Sequence, residues 1–230
     1  MEKTILKLVT GLLVSAAVSQ AAAAPMPLKY FGRIAVSHDG NVRDSDEFAA
    51  AAVGWGIMAA FGVQSKLVHM DHCNIIEYSS TSTSMENNMH LSAQGWKYFP
   101  GFDGSVVFCD KAQLAAAIAN FKKACDDNTA SNPLTLICAG RMEVPWRLIN
   151  AAATDKRKYI TCISHSTAND NFTYGSQMTH TWDDMKRDFG GDGVSFVHIS
   201  DQNKYLGRGA NWNFLNSMPD NTCIPSSAWK

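Results

Sequence analysis

Six short runs of nearly unbroken apolar residues are spaced along the chain, each separated from the next by a segment of different rhythm. "YFGRIAVSH", "KLVHMDHC", "SVVFCD", "PLTLICAG", "KYITCISH" and "VSFVHISD" read as strands. Between and after them, "DEFAAAAVGWGIMAAFG" (ending at Gly62), "KAQLAAAIANFKKACDD", "EVPWRLINAAA" and "HTWDDMKRDF" carry helical periodicity, and Pro145 is tolerable because it falls in a first helical turn. A weaker helical segment runs toward Trp96, and "NWNFLNSM" reads as a closing helical turn. A strand with one wet face alternates apolar and polar residues, and these strands do not. Both faces of their sheet must therefore be covered. The expected fold is a three-layer, doubly wound α/β sandwich, a mostly parallel sheet of about six strands with helices on both faces. Its main excursion is the Ser/Thr-rich stretch around residues 78 to 90.

At the start of the chain, Glu2, Lys3 and Lys7 flank the apolar stretch Ile5 to Val18, which runs into "SQAAAAP". This is the pattern of a secretory signal peptide over residues 1–24, cleaved after Ala24. Residues 25–230 then form one domain, expected to be periplasmic or secreted. No later apolar run is long enough to span a bilayer, so no membrane association is expected. A formal charge of −1 with both signs interspersed argues against a nucleic-acid polymer or an anionic membrane as partner. Six cysteines in an oxidising compartment permit disulfides. Cys109, Cys138 and Cys162 each close an apolar run, as buried free thiols do, which leaves Cys125 and Cys223 as the least constrained candidates for pairing.

In an open parallel sheet, ligands bind beyond the carboxyl ends of the strands, where loops converge at a topological switch point. Nearly every such end is polar here: His38, Asp39, Gly40 and Asn41; Asp71, His72 and Asn74; Asp110; Gly140, Arg141 and Glu143; His165, Asn169, Asp170 and Asn171; Asp201, Gln202 and Asn203. Some of these residues have local duties to weigh. Asp44 with Glu47, and Asp110 with Gln113, have the spacing of a capping box, and for Asp110 the cap is the favoured reading. Asp39, Asp44, Asp46 and Glu47 crowd one short segment, "DGNVRDSDE", and repel one another unless they are exposed or neutralised by a cation. The spacing is not that of an EF-hand, so a metal would draw ligands from several loops; oxygen donors favour Ca²⁺, with Mg²⁺ second.

Other chemistries find less support. "HMDHC" offers His69, His72 and Cys73, but adjacent strand residues point to opposite faces, so the three cannot share one zinc. There is no GxSxG, HExxH, P-loop or GxGxxG pattern. Ser164, His165 and Ser166 are contiguous and form no triad among themselves, though His165 could serve a distant serine in an esterase. "NFT" at Asn171 matches a glycosylation acceptor.

"AVSHDGNVRDSDEFAAAAVGWGIMAAFG" resembles the opening of the nucleoside hydrolase superfamily, in which a strand runs into an Asp-rich, Ca²⁺-binding loop and then a long helix. "LTLICAGRMEVPWRLINAA" is similar to that superfamily's fourth-strand segment, and "ISHSTANDNF" and "VHISDQN" look like its later loops. The pattern departs at Arg141 and Glu143-Val144, where the superfamily usually has Pro and Thr-Asn, and the chain is shorter than typical active members.

The resemblance implies a secreted hydrolase of N-glycosidic or related glycosidic bonds, acting on a small glycoside or saccharide. Asp39, Asp44, Asp46 and Asp201, with a carbonyl near Glu143, would hold Ca²⁺. Asp39 would take the proton of a metal-bound water that attacks the anomeric carbon. Asn41, Asn169, Asp170 and Asn171 would bind sugar hydroxyls, and His198, His165 or His180 would protonate the leaving group. The alternative on the same scaffold is a carbohydrate-binding protein that does not cleave, with Trp96, Trp182 and Trp212 as stacking faces.

Overall fold

A computed structural model of the chain describes residues 32–41, 46–77 and 83–200. Six strands, Arg33–His38 (β1), Leu67–His72 (β2), Val107–Cys109 (β3), Leu134–Ala139 (β4), Ile160–Ser164 (β5) and Ser195–His198 (β6), form one all-parallel sheet in the order β3-β2-β1-β4-β5-β6. Around it lie the helices Asp46–Ala60 (α1), Thr83–Ala93 (α2), Asp110–Asp126 (α3), Glu143–Ala151 (α4), Thr154–Arg157 (α5), Thr167–Asp170 (α6) and Trp182–Phe189 (α7). The fold is the expected three-layer α/β sandwich, and all six expected strands are present. The short α5 and α6 were not anticipated, because one turn carries no periodicity to read. The expected signal peptide and the closing turn "NWNFLNSM" lie outside the described residues.

The unbroken apolar character of the strands is explained by a core on each side of the sheet. On one face Ala35, Leu134, Leu136 and Cys162 pack against Phe121 of α3, Leu148 of α4 and Met185 of α7. On the other, Val36 and Met70 meet Trp55 of α1 and Met89 of α2. Helix α1 ends as its sequence suggests. Gly62, at φ 66°, lets its own N–H reach the Ala59 carbonyl (3.1 Å) and the Val63 N–H reach Met58 (3.0 Å), a Schellman closure that a Cβ would disfavour. The fully buried Trp55 then donates its indole N–H to the Ser92 carbonyl at 2.9 Å, fixing α1 to the end of α2.

Strand β2 carries one extra residue relative to β1. The pairing runs Ile34 with Leu67 and then Ala35 with His69, so Val68 is unopposed. Leu67 and Met70 consequently both reach the α1/α2 core, while His69 packs edge-on to Phe121 (centroids 5.4 Å apart) on the α3 side. The five described cysteines, Cys73, Cys109, Cys125, Cys138 and Cys162, are free and buried, including Cys125, a candidate for pairing; Cys223 lies outside the described residues. No helix among the described residues is long and apolar enough to cross a membrane.

Glu143 opens α4 from a buried position and stitches that helix to the segment leading into α7. Its carboxylate accepts from Arg147 Nε (2.7 Å), from the Thr179 and His180 backbone N–H groups (2.8 and 3.0 Å) and pairs with the His180 ring through Nδ1 (2.8 Å). Burial alone would push this carboxyl up, but the bonds from Arg147, His180 and Thr179 outweigh it and hold it below the usual glutamate value. A depressed folded-state pKa contributes stability above the unfolded pKa, and that stability is lost as pH falls through the folded value. Glu143→Gln should therefore cost about 2 kcal/mol at neutral pH, with the deficit against wild type shrinking as the buffer is taken below the ordinary glutamate pKa. Urea melts of both proteins across that window check the sign.

Candidate functional site

The strand order reverses between β1 and β4, and it is beyond the carboxyl ends at such a switch point that a doubly wound sheet places its ligand crevice. Asp39, only 2 % exposed, follows β1. Its carboxylate accepts the Gly40 N–H at 2.9 Å and lies 3.8 Å from Arg141 Nε. Arg141, just past β4, also donates from its guanidinium to the side-chain oxygen of Asn169 on α6, and its guanidinium carbon stands 4.3 Å from the centroid of the Phe172 ring. One cation thus links the ends of β1 and β4 to the segment after β5.

Backbone and buried amides hold that cation in place. Asn74, fully buried beyond β2, accepts the Arg141 N–H (3.2 Å) and donates to the Arg141 carbonyl (3.2 Å) and to Ser37 Oγ (3.0 Å). A Cβ on Gly140 would sit 2.5 Å from Asn74 Nδ2 and 2.6 Å from the Asp39 nitrogen, so only glycine allows the β1 and β4 loops to approach so closely.

Beneath the crevice lies a web of buried acids. Ser37 Oγ donates to one oxygen of Asp71 (2.5 Å), and His69 Nε2 pairs with the other (3.0 Å), while His69 Nδ1 meets Asn120 on α3 (2.7 Å). Asp110 does not cap α3 as expected. Cys109 holds the N-cap position, and Gln113 takes the Cys109 N–H at 3.1 Å, leaving the Asp110 carboxyl turned inward, where no donor among the described residues reaches its oxygens. Burial, then the facing Asp71 carboxylate, hold Asp110 well above the usual carboxylate range. One proton for the pair avoids two buried like charges. At the end of β1, burial lowers His38 to about 4 against the opposing pull of Asp71, so its ring is neutral at physiological pH.

Of the other residues expected at the site, some stand beyond the carboxyl ends of β5 and β6 and others have different duties. Asp170, 5 % exposed, accepts from the Ser164 hydroxyl and lies 2.9 Å from His198 Nε2, giving β5, α6 and β6 a common carboxylate. His165 is half-buried just past β5. Asn41 is fully buried, donating to the Ile75 carbonyl (3.0 Å) and accepting the Ile75 N–H (3.4 Å), so it clamps the loops after β1 and β2 together rather than facing a sugar. Asn171 is exposed and donates to the Thr167 carbonyl (3.0 Å), closing α6. Trp182, expected to stack on a sugar, is a core residue lying edge-on to Phe196 at 5.2 Å. Its place at the first turn of α7 turns it toward the sheet.

Of the oxygen ligands expected for Ca²⁺, Asp44 and Asp201 lie outside the described residues, and the side chain of Asp46 is not described. Asp39 and Glu143 each stand beside a guanidinium, Asp39 3.8 Å from Arg141 Nε and Glu143 2.7 Å from Arg147 Nε.

A second constellation lies on the α1/α2 side of β2 and β3. His72, Cys73, His90 and Cys109 present one ligand atom each, all within 4.8 Å of one another. Strand alternation predicts that His72 and Cys73 diverge, but Cys73 stands at φ 61°, outside the extended region, and its side chain turns back to the face of His72. His69 stays on the other face, as the alternation argument requires. Three separate segments supply the four residues, so no short motif announces them in the sequence.

The chain is 30 % identical over 178 residues to an uncharacterized protein of Formosa agariphila, an alignment that takes in 75 % of this chain and 62 % of that protein. The chain thus spans less than two thirds of the length of the curated relative it matches. No protein-family model and no solved structure matches it.

Proposed function

We propose that this protein binds a small saccharide or glycoside in the crevice between the β1 and β4 loops. The observation that carries this reading is Arg141, whose guanidinium spans Asp39 and Asn169 while resting on Phe172. Vicinal hydroxyls need donors and acceptors at fixed spacing, which a carboxylate, an amide and a guanidinium supply together. The crevice is also the site that a doubly wound sheet reserves for ligands, and the likeness of its first loop to nucleoside hydrolases agrees with a sugar as ligand. With Arg141 beside Asp39, recognition needs no metal at this carboxylate.

Cleavage of the bound glycoside is the second reading, favoured by His198. Its Nε2 meets the buried Asp170, and the imidazole remains 40 % exposed, the arrangement of a proton donor oriented by a carboxylate. Asp39 would take the proton of the attacking water.

Calorimetric titration of the protein with monosaccharides, oligosaccharides and nucleosides should yield binding, with Arg141→Ala and Asp39→Asn each weakening it by roughly 10-fold or more, the loss of a hydrogen bond to a charged group. Binding that both variants retain at full strength overturns the crevice as the site. If the protein also cleaves, reducing-sugar release should fall by about 100-fold or more in His198→Ala with affinity nearly unchanged. Release that is abolished by chelator and restored by Ca²⁺ alone would instead assign the hydrolysis to a metal held by Asp39 with Asp44, Asp46 and Asp201.

A further inference from the structure

We propose that His72, Cys73, His90 and Cys109 form a structural Zn²⁺ site that fastens helix α2 to the carboxyl ends of β2 and β3. The ligand atoms already lie within 4.8 Å of one another, and tetrahedral zinc with bonds of about 2.0 to 2.3 Å needs them roughly 3.3 to 3.8 Å apart. Closing the cluster onto an ion takes shifts of about an ångström, within the reach of side-chain rotation. His72 Nε2 and His90 Nδ1 face each other at 2.9 Å, their rings nearly perpendicular at 86°. These are the two nitrogens that would turn to the ion.

Three features distinguish this cluster from a chance gathering of core residues. The first is the backbone of Cys73. A non-glycine residue seldom adopts the left-handed region, and the conformation is held here by the Cys73 N–H bond to the Asp39 carbonyl at 2.8 Å. It brings the thiol to the cluster. The second is the outer partner of His90: Glu86, one turn earlier on α2, lies 3.7 Å from the ring's other nitrogen, Nε2, and is itself paired with Lys111 at 2.8 Å. Metal-bound imidazoles are oriented by such carboxylates. The third is access, through a cleft of about 490 Å³ lined by His72, His90, Trp96, Lys97, Cys109 and Gln113.

The donor set selects the ion. Two thiols and two imidazoles are too soft for Ca²⁺ or Mg²⁺ and match four-coordinate zinc, and four protein ligands leave no open position for catalysis. On binding, Cys73 and Cys109 each release a proton to solvent and become thiolates, while both histidines bind as neutral rings. The inference does not depend on the saccharide reading, which concerns the other side of the β1 end.

Metal analysis of the protein, purified without chelator, should find one zinc per chain. Co²⁺ exchanged into the site should show the visible bands of tetrahedral cobalt with thiolate charge transfer. His90→Gln, on the half-exposed face of α2, should lower Zn²⁺ affinity by roughly 100-fold or more, and Glu86→Gln by about 10-fold; Cys125→Ser should leave the stoichiometry unchanged. Chelation should lower the melting temperature of the wild type but not of Cys109→Ser. The inference fails if the thiol-reduced protein binds Zn²⁺ no more tightly than Cys73→Ser/Cys109→Ser, if copper rather than zinc fills the site, or if the native protein carries a Cys73–Cys109 disulfide and no metal.

Discussion

A parallel sheet buried on both faces leaves its polar chemistry only one outlet, the carboxyl ends of the strands, and in this protein Asn74 holds those ends together. Its amide meets Ser37 on β1 and both backbone polar groups of Arg141 beyond β4, so loops from β1, β2 and β4 share one fully buried side chain. An unpaired buried amide is costly, and Asn74 avoids that cost only when all three loops are in place. The position of Arg141 is therefore set by the backbone as well as by its own ion pair with Asp39.

The buried acids depend on the same constraint. Ser37 and His69 occupy the two oxygens of Asp71, whereas no donor among the described residues reaches those of Asp110, and burial beside the Asp71 carboxylate holds the Asp110 carboxyl well above the usual range. The two acids differ in their donors rather than in their depth, since both are almost fully buried. Asn120 completes the arrangement by engaging the far nitrogen of His69, which fixes the ring between α3 and β2. Such a web favours one packing of the loops over others, because any alternative register leaves several of these groups unpaired.

The fold was legible from hydrophobic rhythm alone, since six apolar runs and the helical segments between them leave little choice of architecture. The candidate site was legible as a place in the fold, through the polar carboxyl ends, but less so in its parts. Asp39, Asn169 and Asp170 follow the carboxyl ends of β1 and β5, as their positions in the sequence suggested. Arg141 departs from the family pattern in the sequence, and its span from Asp39 to Asn169 exists only in the folded chain. Asn41 and Glu143 look like ligand groups in the sequence because a buried clamp and a ligand use the same residue types; what separates them is which donors surround them, a tertiary fact. The His/Cys cluster was hidden for a local reason: strand alternation excludes neighbours from a common site, and the left-handed Cys73 breaks that rule where the strand ends.

The extra residue in β2 decides how the two constellations divide. Side chains alternate along a strand, so inserting Val68 opposite nothing reverses the facing of every residue after it relative to Leu67. With the bulge, His69 and Asp71 meet Ser37 and α3, and His72 falls beside Cys109 on the face of α2. Without it, the strand would keep its pairing partners only by burying Val68 and Met70 where His69 and Asp71 now bond, and would carry His72 away from His90. A single unopposed residue thus sends the acid web to one side of the sheet and the thiol and imidazole ligands to the other, and the two sets share β2 without sharing a face.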